Sequence, residues 1–254
     1  MKTSSSPTRG RARHWLLFVA VPGVLILLAL GAWQTQRLFW KNEINEFRAA
    51  QTAADPVPLP AALEPFDAWH YRPVYVEGRF RHDDETYLAA RSFKRQVGVQ
   101  VITPFETTDG RVVLINRGWV PDARKEPRKR RKGQVEGLVR IEGLVVAGQT
   151  DSWIKPDNLP DKNTWFWLDL PTLSAKLGMP EQTFLIDAGD AENPGGFPIG
   201  GQTRLILRNE HLQYALIWYL LAAGLAGITY LMRRGALRRA QRAGADGDNG
   251  ASEG

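Results

Sequence analysis

No cysteine occurs in the 254 residues. Disulfides are therefore excluded whatever the compartment, together with thiolate metal sites and thiol-based copper or redox chemistry. There is no internal repeat, no zinc-protease histidine pair, no nucleophile elbow and no phosphate loop. The glycines of "GGFPIGG" (195–201) lack phosphate-loop spacing. With no nucleophile–base constellation, the chain reads as a binding protein and not as an enzyme. Acidic residues are missing from the first 14 positions, which hold Lys2, Arg9, Arg11 and Arg13.

The net charge of +6 belongs to the ends. Five arginines (Arg233, Arg234, Arg238, Arg239, Arg242) follow the last apolar run, whereas the segment between the two basic ends holds 24 Lys/Arg and 24 Asp/Glu. That distribution points to a membrane and away from nucleic acid.

Two uncharged runs of 19 residues bound the middle of the chain, 15–33 and 214–232. A helix of that length rises roughly 28 Å, close to the ~30 Å hydrocarbon core of a bilayer. Trp15 and Trp33 mark the edges of the first run, and Tyr214, Trp218 and Tyr219 lie near the start of the second, as aromatic belts do. The first run exceeds the apolar region of a signal peptide, so an uncleaved anchor is expected. The expected organisation is a basic tail (1–14), a span (15–33), a mainly β domain (34–213), a second span (214–232) and a basic tail (233–254). By the distribution of basic residues, both tails lie in the cytoplasm and the β domain outside it.

The middle alternates apolar and polar residues over 71–80, 86–92, 98–107, 110–120, 134–148, 164–170, 183–188 and 203–208. The turn signals between them predict a mainly antiparallel, barrel-like β domain of α+β type. A short helix is expected at 171–177, between Pro171 and Gly178, and residues 34–50 should prolong the first span as a helix. "HDDE" (82–85) reads as a polar hairpin turn. "DARKEPRKRRKGQ" (122–134) carries seven Lys/Arg and reads as a solvated, flexible loop. Its functional alternative is contact with anionic headgroups or an acidic partner.

The stretch "RNEHLQYALIWY" (208–219) places charge and a histidine at the mouth of the second apolar run. On a helix His211, Tyr214, Ala215 and Trp218 share one face, with Ala215 leaving a gap between the rings. A neutral imidazole there suits a haem iron; the same face also suits an interfacial aromatic belt. On the first helix Trp33, Arg37, Trp40 and Lys41 recur at helical spacing. The cations Arg37 and Lys41 suit carboxylates such as propionates, or lipid phosphates reached by snorkelling.

These two ends resemble the Surfeit locus protein 1 family, which assists assembly of cytochrome c oxidase. The residues that carry the likeness are Gly31, Trp33, Gln34, Arg37, Trp40 and Lys41, then Asn209, His211, Leu212, Tyr214, Ala215, Trp218 and Tyr219. "RPVYVEGRF", "NRGWVP" and "WFWLDL" between them also look like family blocks; the basic insert at 124–132 does not. The resemblance implies an integral membrane protein with two transmembrane α-helices flanking the β domain, in a bacterial inner membrane. It implies non-covalent, transient binding of haem a, with His211 as the iron ligand and Tyr214, Trp218, Trp33 and Arg37 around it. Subunit I of the oxidase, other assembly factors and membrane lipids are the implied partners. A scaffold that stabilises an oxidase intermediate without holding haem is the alternative.

Overall fold

The computed structural model describes residues 8–151, 153 and 155–249. Expectations resting on residues 1–7 and 250–254, or on the side chain of Trp15, lie outside the described residues. The chain divides into two compact units, Met1–Asn45 with Leu207–Gly254, and Glu46–Ile206.

The first unit is built from helix α1 (Thr8–Thr52), whose residues after Asn45 belong to the second unit, and helix α3 (His211–Asn249). At 45 residues, α1 rises roughly 68 Å, more than twice a hydrocarbon core. Residues 34–50 thus prolong the apolar helix, as their lack of breakers predicts. Phe18–Thr52 and His211–Arg239 are both long and apolar enough to cross a membrane. Their outer surfaces carry exposed Phe18, Leu25, Ile26, Leu220 and Leu231, a face suited to lipid.

The two helices meet along small residues. Ala20, Ala215 and Ala222 are buried, and a Cβ on Gly31 would lie 2.6 Å from the Tyr219 ring. Close approach through small side chains is how helices associate where no hydrophobic effect drives them together. The Tyr219 hydroxyl also lies 3.2 Å from Thr35 Oγ1. Ala215 therefore leaves no open gap between aromatic side chains, being 2% exposed.

The second unit is one mixed sheet. Its strands are β1 (Val57–Pro58), β2 (Pro73–Phe80), β3 (Thr86–Phe93), β4 (Gln96–Thr107), β5 (Val112–Pro121), β6 (Val139–Ala147), β7 (Thr164–Trp165) and β8 (Phe184–Ala188). Their order is β1-β2-β6-β8-β5-β4-β3-β7, with a further antiparallel pairing of β2 and β4. The expected antiparallel pattern is corrected at three places, since β1/β2, β3/β7 and β5/β8 run parallel. Helix α2 (Leu170–Lys176) starts where Asp169 accepts a hydrogen bond from the Thr172 amide, an N-cap.

Both faces of the sheet are covered. On β5, Val113 and Ile115 join one apolar cluster with Val74, Phe105 and Val145, while Leu114 joins another with Ile102, Trp165 and Leu173. Strands buried on both sides read as near-continuous apolar runs, which is the pattern of "VVLINRGWV".

Two expectations fail locally. Residues 203–208 form no strand, because side chains serve their backbone: Leu207 is clamped by Asn45, whose Nδ2 donates to its carbonyl at 3.0 Å and whose Oδ1 accepts from its amide at 2.8 Å. The basic segment is not a solvated loop. It folds as short 3-10 turns over Asp122–Arg124 and Pro127–Gly133, the second kinked at Arg130, and Arg130 is buried.

Candidate ligand-binding site at the mouth of the second apolar helix

Within the helical unit, residues 207–209 are strapped to one face of α1. Asn209 Nδ2 donates to the Leu38 carbonyl at 3.0 Å and to Asn42 Oδ1 at 2.7 Å, and Lys41 Nζ donates to the Arg208 carbonyl at 3.1 Å. These contacts set where α3 begins and so where His211 stands. Around it lies a cavity of about 250 Å³ lined by Gln34, Lys41, Arg208, Glu210, His211 and Tyr214.

His211 Nδ1 lies 2.6 Å from Gln34 Oε1. An amide oxygen only accepts, so in this arrangement Nδ1 carries the proton and Nε2 keeps its lone pair. Fixing one ring nitrogen as a donor is how proteins hold a histidine for ligation through the other. Lys41 keeps two of its three N–H donors after bonding the Arg208 carbonyl. Arg208 is ion-paired to Glu210 and is 85% exposed. The recess thus combines an oriented Lewis base, the Lys41 cation and the Arg208–Glu210 ion pair.

The predicted residues separate into two groups. His211 and Tyr214 line the cavity, and Trp218 follows one turn further along α3. Trp33 and Arg37 do not line it. Trp33 is 49% exposed, and the Arg37 guanidinium sits 4.8 Å over the Trp40 ring. The reason is helical phase: at 3.6 residues per turn, positions 34, 38, 41 and 45 face residues 207–211 and positions 33, 37 and 40 turn away. Gln34 and Lys41 occupy the places beside the histidine that sequence reasoning gave to Trp33 and Arg37. The spacing of seven between Gln34 and Lys41 was the signal for them.

A second polar cluster went unread in the sequence. Glu85 is 5% exposed, Arg117 2% and Arg130 4%. Arg130 grips both carboxylate oxygens of Glu85, Arg117 Nη1 donates to Glu85 Oε1 at 3.2 Å, and Gln134 Nε2 donates to the same oxygen at 3.0 Å. Arg117 also donates to the Gly133 carbonyl and lies 4.5 Å over the Phe80 ring. Burial pushes its pKa down to about 10, against the pull of Glu85. The cluster ties the basic segment to the sheet. An arginine in the middle of the apolar run "VVLINRGWV" was the available clue.

Nearby, partly buried Asp187 on β8 accepts from Asn116 Nδ2 at 2.9 Å and from Thr203 Oγ1 at 2.8 Å. Desolvation raises its pKa; the two hydrogen bonds oppose the rise.

Two helices long and apolar enough to span a membrane, joined through a mixed β unit and carrying a histidine hydrogen-bonded at one helix mouth, define a two-helix protein with a mixed β domain between the helices. The sequence profile of the SURF1 family matches residues 21–223. A SURF1-like protein of Monosiga brevicollis is 41% identical over 96% of this chain and 98% of its own length. Human Surfeit locus protein 1 is 37% identical over 86% of this chain and 78% of its own, and a Drosophila melanogaster SURF1-like protein is 34% identical over 79% and 72%. The chain belongs to the SURF1 family. These relatives are eukaryotic, which overturns the expected bacterial inner membrane and the cytoplasmic placement of its termini; the structure contributes two candidate spans to the question of location.

Proposed function

We propose that this chain is an assembly factor for cytochrome c oxidase that holds haem a at the His211 recess and passes it to subunit I. The observation that carries the reading is the 2.6 Å contact between His211 Nδ1 and Gln34 Oε1, which leaves Nε2 as the nitrogen with a lone pair. The donor set suits the group: an imidazole for iron, and the Lys41 ammonium for a carboxylate. Bound haem a would supply a redox-active iron centre for the oxidase. Here the protein's residues bind and orient it. Gln34 fixes the histidine tautomer, Lys41 offers two spare N–H donors, and Tyr214 forms part of the wall.

A recess of about 250 Å³ is below the roughly 300–1,000 Å³ that encloses a small-molecule ligand. A tetrapyrrole would be gripped at an edge and not enclosed, which suits hand-over better than storage. The test is the absorption spectrum of the chain purified from cells that make haem a. Wild type should carry a haem spectrum, and His211→Ala should lose it while its β unit keeps the same thermal unfolding. Full haem retention in His211→Ala, or no haem in wild type, refutes the ligand assignment and leaves the scaffold reading.

A further inference from the structure

The basic segment of the β unit is a built surface. Arg130 enters the interior, binds both oxygens of Glu85, and donates back to the Arg124 and Lys125 carbonyls at 3.2 Å each. One buried side chain therefore holds both the sheet and its own segment. Arg124 stacks 4.9 Å from the Phe197 ring, and Lys125 Nζ lies 4.8 Å from the Tyr87 ring. Outward from this anchor stand exposed Arg124, Arg128, Lys129, Arg131 and Lys132. Glu126 is the sole acid among residues 123–133, and Arg128 and Lys129 reach it within the segment. The result is a positive patch whose cations sit on a fixed backbone.

From this we infer that residues 124–132 dock an acidic polypeptide segment, read by guanidinium forks held in place by the Arg130–Glu85 anchor. Three of the exposed cations are arginines, whose planar forks match carboxylates in two-point contacts. Attraction to an anionic membrane needs charge alone and no fixed geometry. A lipid-binding segment also inserts large apolar side chains; residues 122–134 contain none, Ala123 and Pro127 being the only apolar members. Prior ordering of the backbone reduces the entropy lost on binding. The inference is independent of the haem reading, and His211→Ala should leave this binding unchanged.

The test uses the full chain in nanodiscs of neutral phosphatidylcholine and a fluorescein-labelled deca-glutamate peptide, followed by anisotropy. The triple variant Arg128→Ser/Arg131→Ser/Lys132→Ser should weaken binding by about tenfold or more at low salt and reduce its salt dependence. Arg238→Ser/Arg239→Ser/Arg242→Ser removes as many charges from the C-terminal tail and should change it little. The variant Arg124→Lys/Arg128→Lys/Arg131→Lys preserves charge and should still weaken binding several-fold. Equal loss in the tail variant, or wild-type affinity in the loop or lysine variants, overturns the proposal. So does a loop variant that keeps the peptide but no longer binds vesicles of about 30% anionic phospholipid, which would make the patch a lipid contact.

Discussion

Replacing Arg130 with serine tests whether the basic segment is held by buried charge or merely solvated. Arg130 is 4% exposed, and its partner Glu85 is 5% exposed. Removing the arginine leaves Glu85 with Arg117 and Gln134, but strips the carboxylate of its two-point partner and empties a guanidinium-sized volume. Breaking a buried ion pair from one side typically costs about 3–5 kcal/mol. Arg117 remains to offset part of the charge, so about 3 kcal/mol is the expected loss. Typical domain stabilities are only about 5–15 kcal/mol. With a urea slope of about 2 kcal/mol per molar, the midpoint should fall by roughly 1.5 M. The assay is urea unfolding of the detergent-solubilised chain followed by tryptophan fluorescence, since Trp119 and Trp165 are buried in the β unit. Arg128→Ser is the matched control: its side chain is 73% exposed, and the midpoint should move little. A midpoint for Arg130→Ser equal to that of Arg128→Ser refutes the reasoning and restores the picture of a free loop.

Two further outcomes follow from single residues. Asp187 has a folded pKa raised by burial, so the folded state holds a proton that the unfolded state has already released. Its stabilising effect is present below the ordinary carboxylate range and fades as pH rises through the raised value. Asp187→Asn should remove that part of the pH dependence of the urea midpoint while keeping the contacts to Asn116 and Thr203; an unchanged pH profile counts against the assignment. Gly31→Leu should drive the Tyr219 ring off α1, because even a Cβ would lie 2.6 Å from that ring. Cysteines introduced at Gly23 and Leu225 in this cysteine-free chain should then cross-link far less efficiently than in the Gly31 background, and equal cross-linking would show that the helices do not pack there.

Much of the architecture lies in local signals. The two uncharged runs produce helices because nothing in them breaks a 3.6-residue repeat strongly enough, Pro22 included. Strands β2 to β5 stand within a few residues of their alternating segments, because alternation and turn residues act over short range. The position of His211 at the mouth of an apolar helix is equally readable. What only the tertiary structure decided depends on partners far apart in the chain. Gln34 and His211 are 177 residues apart, and Glu85 and Arg130 are 45 apart. No local propensity encodes those meetings. Whether Arg37 or Lys41 stands beside the histidine is a matter of helical phase, set by where Gly31, Ala215 and Tyr219 let the two helices touch. The mixed sheet order likewise follows from long-range pairing of β8 between β5 and β6. The basic segment shows the limit most clearly: its charges read as solvated one by one, but the cavity that receives Arg130 exists only once β3, β5 and the segment itself have folded around Glu85.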